Sequence, residues 1–187
     1  LVMKALGIRG RDIINPTISF IATAMIPLWN DCTSNIVDVD RRTLNLDPDD
    51  VKKHLKPDTD MMIVVNMAGV PAPIDEIREF YDGFILEDCA HSCYTEGAGL
   101  KGDAAVWSFQ AVKTMPCGDG GMITTDDEAL YTKLKDMTWF GVSSTWSRSQ
   151  GASGKPGYAW DYEVDHVGYK CYMIDLQAAI CLEQMKK

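Results

Sequence analysis

Two side chains in this sequence are spaced so that they could act on one ligand. Asp88 closes a short apolar run, FILED, and Lys113 stands in the loop AVKTMPCGDGG after the next apolar run, AAVWSF. A third run, MITT, begins directly after the glycines. In an open α/β sheet, ligands sit in the crevice beyond the carboxyl ends of the strands. An acid at one strand end and an amine just past the next can therefore face the same molecule. Such a pair suits pyridoxal 5'-phosphate (PLP), because a carboxylate keeps the pyridine nitrogen protonated and an amine condenses with the aldehyde. The same spacing is met by a helix-capping Asp and a solvated Lys, and pattern alone leaves both readings open.

The elements that must position these groups alternate along the chain. LVMKALG reads as the end of a helix stopped by Gly7, followed by a strand at Asp12–Asn15 ended by Pro16. TISFIATAMIPLWN supports a helix from Ile21, and NIVDV, residues 35–39, a second strand. Asp47-Pro48-Asp49-Asp50 opens a helix for a chemical reason: Asp47 caps free amides, Pro48 suits the first position, and the acids favour the positive dipole end. MMIVVNM is a buried parallel-type strand, IDEIREFY a short helix, and FILE the next strand. AVWSF and MITT lie too close for an intervening helix, so an antiparallel excursion is expected there. DEALYTKLKDMTWF is an amphipathic helix with Leu130, Leu134 and Met137 on one face, and residues 173–187 form a closing helix. Residues 141–170 are Gly-, Ser- and aromatic-rich without periodicity, as functional or mobile segments are. This order predicts an α/β domain with a mixed, mostly parallel sheet flanked by helices.

Composition narrows the function classes. At 187 residues, 46% of them hydrophobic and 24% charged, the chain can bury one substantial core. A net charge of −9 argues against a nucleic-acid surface. No apolar run reaches the roughly 20 residues of a membrane span, and the first residues lack a secretory core. The six cysteines form no CxxC pair, and His91 between Cys89 and Cys93 lacks a second ligand pair at zinc spacing. They read as buried free thiols in a reducing cytoplasm, with no metal. No G-x-G-x-x-G follows a strand, which removes a dinucleotide fingerprint.

The wording of residues 84–125 adds to the spacing. EDCAHS followed by SFQAVKTMPCGDGGMITT closely resembles the DegT/StrS-type PLP-dependent nucleotide-sugar aminotransferases, a branch of the fold-type I aminotransferases. Further similar segments follow the family's order: ALGIRGRDIINPTISFIATA, NIVDVDRRTLNLDPDDVKKHLKPDT, MMIVVNMAGVPAPIDEI and GYKCYMIDLQAAICLEQ. The resemblance implies that Lys113 is the catalytic lysine that binds PLP and moves the proton. It implies that Asp88 partners the pyridinium nitrogen and that His91 stands beside the ring and its phenolic oxygen. Ser108 would bind the phosphate, and Phe20 would stack on the open face of the ring. His91 and Phe20 as core side chains, and Ser108 as a backbone cap, remain the structural alternatives.

Residues 1–187 would then be the central part of the large, PLP-binding domain. The family's N-terminal phosphate-loop segment and C-terminal small domain would lie outside them. In the family's late motif a polar residue reaches the neighbouring subunit's phosphate; here GYKCYM places Cys171 and Tyr172 there. The implied activity moves an amino group from an amino acid such as glutamate to a nucleotide-linked keto sugar, in a homodimer. The alternative is a non-catalytic remnant that only folds and self-associates or binds a partner.

Overall fold

The computed structural model describes residues 1–143 and 162–187, and the chain forms two compact units. Most of the irregular stretch 141–170 noted in the sequence, residues 144–161, lies outside the described residues. The larger unit comprises Ile8–Asp126 and Ile174–Lys187. Its sheet contains β1 (Asp12–Pro16), β2 (Thr33–Val37), β3 (Thr59–Val65), β4 (Phe84–Asp88), β5 (Ala104–Ser108) and β6 (Gly121–Thr124). The strand order is β2-β1-β3-β4-β5-β6. Every pairing from β2 through β5 is parallel, and β6 joins β5 antiparallel. The mixed, mostly parallel sheet and its antiparallel excursion are as the sequence predicts.

Local chemistry explains the helices. In the larger unit α1 is absent, since Val2–Leu6 (α1) belongs to the smaller one. α2 (Ile21–Trp29) starts where expected. α3 (Pro48–His54) is capped by the Asp47 carboxylate, which accepts the Asp49 amide at 2.9 Å. α4 (Ile74–Arg78) is shorter than IDEIREFY suggested. The chain turns after Arg78, whose guanidinium donates to Gly83 O at 2.7 Å and to Asp103 Oδ2 at 2.6 Å, while Tyr81 becomes buried. β2 also differs, running 33–37 instead of 35–39. Asp38 accepts its own neighbour's amide from Val39, and Asp40 accepts those of Arg42 and Thr43, so side chains turn the backbone out of the ladder.

Between β1 and its two neighbours the chain reverses direction across the sheet. β1 leads through α2 to β2 on one side, and β2 leads through α3 to β3 on the other. Right-handed crossovers of this kind put α2 and α3 on opposite faces. The alternation of side chains agrees. Ile14, Val37, Met62, Val64 and Ile85 share a buried core with Val51 of α3 and Ile74 and Ile77 of α4. Each such side chain contributes about 1.5–3 kcal/mol relative to full exposure. Ile13, Ile63, Leu86 and Asp88 occupy the other face, the side of α2. At the amino end of β1, buried Asp12 receives Lys56 Nζ at 2.6 Å, Asn35 Nδ2 at 2.8 Å and Thr59 Oγ1 at 2.9 Å.

The smaller unit, Leu1–Gly7 with Asp127–Met173, packs α1 against α5 (Glu128–Thr138). Gly7 ends α1 at φ 70°, a left-handed stop that glycine takes without cost. Asp127 caps α5, and Leu130, Leu134 and Met137 form its buried stripe. The last turn of α5 is held by Tyr169 and Cys171, whose amides donate to Met137 O and Thr138 O. Tyr172 meets the Trp139 ring edge-on at 5.0 Å. Among the described residues no helix is long and apolar enough to cross a membrane. All six cysteines are free. The expectation that they are all buried needs correction, since Cys93 is half-buried and Cys171 exposed.

Candidate functional site

Asp88 is held rigidly because it is the last residue of an interior strand. It pairs with Val65 of β3 on one side and Val106 of β5 on the other. Past those registers its carbonyl accepts the Asn66 amide at 3.0 Å, and the next amide, Cys89, donates to Val106 O at 2.8 Å. The strand end is therefore clamped from both neighbours. Asn66, fully buried, reinforces the clamp by donating to Glu87 Oε2 at 3.2 Å and to Cys89 Sγ at 3.3 Å.

The Asp88 side chain points to the α2 face at the carboxyl edge of the sheet, where open α/β sheets bind ligands. Burial pushes its carboxyl above the usual carboxylate range. The Ala90 amide, which donates to Oδ1 at 3.0 Å, pulls the other way, as do the charges of His91 and Lys113 and the Thr23 hydroxyl. Burial wins, so the carboxylate lacks a full complement of positive partners. A protonated ring nitrogen would supply one.

Lys113 rises from a loop anchored at its base. Phe109 donates to Gly120 O and Cys117 donates to Phe109 O, each at 2.8 Å, with Phe109, Met115 and Cys117 buried. Lys113 itself caps a turn through its amide, which donates to Gln110 O at 2.9 Å. Among the described residues its amine makes no ion pair, although its charge is felt at Asp88. The loop returns to β5 at Gly121, where a Cβ would lie 2.7 Å from Trp107 O. Glycine is required there by close approach of two backbones, as well as by the turn at Gly118, φ 93°.

The remaining expected residues fall at the same edge with different degrees of definition. His91 is exposed in the turn directly after β4, close enough for its charge to reach Asp88. Ser108 ends β5 two residues beyond the Asp88 partner Val106, which puts it on the same sheet face about 7 Å further along. Ser108 is half-buried, and among the described residues its hydroxyl takes a long contact, 3.5 Å, from the Gln110 amide. Phe20 is 73% exposed at the N-cap of α2, so the reading of it as a core aromatic fails. One supporting side chain, Asn66, carries no mark in the sequence, where it stands at the end of the apolar run MMIVVNM.

The donor set fits PLP. A rigid, under-compensated carboxylate and a lysine that makes no ion pair among the described residues belong to one edge of the sheet, together with a hydroxyl and an exposed aromatic. Among the described residues no group of His, Cys, Asp or Glu is arranged to hold a metal ion.

Comparison with known proteins gives the same direction. The family described as the DegT/DnrJ/EryC1/StrS aminotransferase family matches residues 1–187. The spore coat polysaccharide biosynthesis protein SpsC of Bacillus subtilis is 37% identical, over 100% of this chain and 49% of its own length. The sugar aminotransferase CalS13 of Micromonospora echinospora is 27% identical with a TM-score of 0.84, covering 100% of this chain and 52% of that one. NtdA of Bacillus subtilis with bound cofactor PMP is 28% identical with a TM-score of 0.86, covering 99% and 41%. The chain spans about half the length of the curated relatives it matches.

Proposed function

This chain belongs to the DegT/DnrJ/EryC1/StrS aminotransferase family, and on that footing we propose that residues 1–187 are the cofactor-bearing central part of a PLP-dependent sugar aminotransferase. The observation that carries the reading is strand-end Asp88 at the carboxyl edge of the sheet, with the charge of loop-borne Lys113 felt at its carboxyl. The proposed reaction takes an amino group from an amino acid such as glutamate and delivers it to a keto sugar linked to a nucleotide. SpsC, in polysaccharide biosynthesis, and CalS13, a sugar aminotransferase, support a sugar acceptor. NtdA, with PMP, supports the cofactor.

The residues divide the work by chemistry. Bound PLP supplies an aldehyde for amine exchange and a protonated ring that accepts electrons from a breaking C–H bond. Asp88 holds the ring nitrogen and, by staying ionised, keeps it protonated. Lys113 would hold the cofactor at its aldehyde and, as a free amine, would move the proton between the substrate carbon and the cofactor carbon. Ser108 would offer its hydroxyl to the phosphate, Phe20 would stack on the ring and exclude water, and His91 would help to hold the ring. Assembly as a homodimer in a reducing, cytoplasmic setting belongs to the same proposal, and the six free thiols fit such a setting.

A single-turnover assay tests the reading. The PLP-loaded chain is mixed with glutamate and the 2-oxoglutarate released is counted. The proposal expects close to one equivalent per bound PLP and none from Lys113→Ala. Binding of PLP without any release would favour a folded, non-catalytic remnant.

A further inference from the structure

α6 (Asp175–Gln184) belongs to the larger unit and holds none of the residues assigned to the cofactor. Gln177, Cys181 and Gln184 recur at the i, i+4, i+7 spacing that puts them on one helix face. That face turns inward, since Cys181 is buried while Leu176, Ile180 and Leu182 are exposed. Both ends of the face are tied to segments that carry site residues. At the amino end, Gln177 Nε2 donates to Asp119 O at 2.6 Å, in the loop that carries Lys113. At the carboxyl end, Gln184 O accepts the Tyr94 hydroxyl at 3.2 Å, in the turn that follows Asp88 and His91. The two segments also touch each other, with Cys93 Sγ 3.8 Å from Met115 Sδ, two residues beyond Lys113.

The Gln177 side chain has two separable tasks. Its Oε1 accepts the Ile174 amide at 3.0 Å and so caps the helix start. Its Nε2 leaves the helix for Asp119 O, a carbonyl that also accepts the Cys117 thiol at 3.2 Å. Next to it, Gly120 O accepts the Phe109 amide, and Phe109 O accepts the Cys117 amide, each at 2.8 Å. A hold on Asp119 is thus a hold on the limb that closes the Lys113 loop. A helix rises 1.5 Å per residue, so the two ties stand about 10 Å apart on one stiff rod. A rod tied at one end to the loop and at the other to the turn fixes the distance between them.

We propose that α6 is a brace that sets the Lys113 loop relative to the Asp88 turn, with the side-chain nitrogen of Gln177 as its contact to the loop. The proposal rests on the reading of Lys113 and Asp88 as the groups that hold the cofactor. Gln177 acts through Asp119 and the loop, so it is a positioning residue and not a catalytic one.

Three substitutions separate the donor from the cap and from charge. Gln177→Glu keeps an acceptor for the Ile174 amide and loses the donor. Gln177→Lys keeps a donor long enough to reach Asp119 O and loses the cap, while Gln177→Ala loses both and adds no charge. Hydrogen exchange at the Lys113 and Cys117 amides is read in the PLP-free protein, and the PLP dissociation constant beside it. The brace predicts exchange about tenfold faster and PLP binding about tenfold weaker in the Glu and Ala variants, with the Lys variant near wild type. A Glu variant like wild type with a Lys variant like Ala would reduce Gln177 to a helix cap and overturn the brace. An Ala variant like wild type, with Glu and Lys displaced in opposite directions, would overturn it in favour of charge alone. Tyr94→Phe frees the other end and leaves the helix start intact. It should quicken exchange at the Ser92 and Thr95 amides, and no change there would contradict the second tie. Failure of wild type to bind PLP would defeat the proposed function, while exchange in the PLP-free protein would still decide the brace.

Discussion

Glu87 and Asp88 are consecutive acids that leave β4 on opposite faces and meet opposite surroundings. Glu87 is 2% exposed, yet its carboxylate accepts the amides of Gly99, Lys101 and Gly102 at 2.8, 2.8 and 2.6 Å, and the Asn66 side chain as well. Asp88 has one backbone amide and faces the crevice. The first acid ties down the β4–β5 connection, and the second is left available to a ligand.

Glu87→Ala should therefore act on stability. Loss of a buried acceptor for three backbone amides predicts destabilisation of about 3 kcal/mol in urea unfolding. Hydrogen exchange should quicken at Gly99, Lys101 and Gly102. A change below about 1 kcal/mol would show that the carboxylate is not what holds this connection.

Asp88 predicts a pH dependence of the opposite sense to that of most acids. Burial raises its folded-state pKa, so the native state holds the proton more tightly than the unfolded chain. Its ionised form costs stability. That cost is absent below the ordinary Asp range and grows as pH rises through the raised folded value. In the PLP-free protein, Asp88→Asn should abolish this downward slope and be more stable than wild type near neutral pH, while binding PLP poorly. Urea unfolding of both proteins across the acid-to-neutral range checks it, and an Asn variant less stable than wild type at neutral pH contradicts it.

Gly121→Ala tests whether the lysine loop depends on the register of β6. The added Cβ would stand 2.7 Å from Trp107 O, a backbone atom that cannot move aside without disturbing the Ser108–Gly121 pairing. The expected cost is about 1–3 kcal/mol, with weaker PLP binding because Ser108 and the Lys113 loop shift together. Wild-type PLP affinity in a folded Gly121→Ala protein would separate the loop from the strand.

Much of this arrangement was legible in the sequence because local chemistry and tertiary structure agree. Asp47-Pro48 predicts the start of α3, the continuous apolar run MMIVV predicts interior strand β3, and the short link between AVWSF and MITT predicts the antiparallel β6. Asp88 and Lys113 were visible for the same reason, since strand ends can be read from where apolar runs stop. What escaped depends on partners distant in sequence. Asn66 looks like the end of an apolar run, and only the fold brings its amide to Glu87 and Cys89. The shift of β2 depends on Asp38 and Asp40 binding backbone amides, which alternation of apolar residues does not report.

The most direct measurement for the central claim is the visible absorption spectrum of the purified chain with PLP, compared with Lys113→Ala. The account predicts a borohydride-trappable band in wild type that is absent from the variant, with the label mapping to Lys113 after digestion. Equal, weak labelling of both proteins, spread over surface lysines, would contradict it.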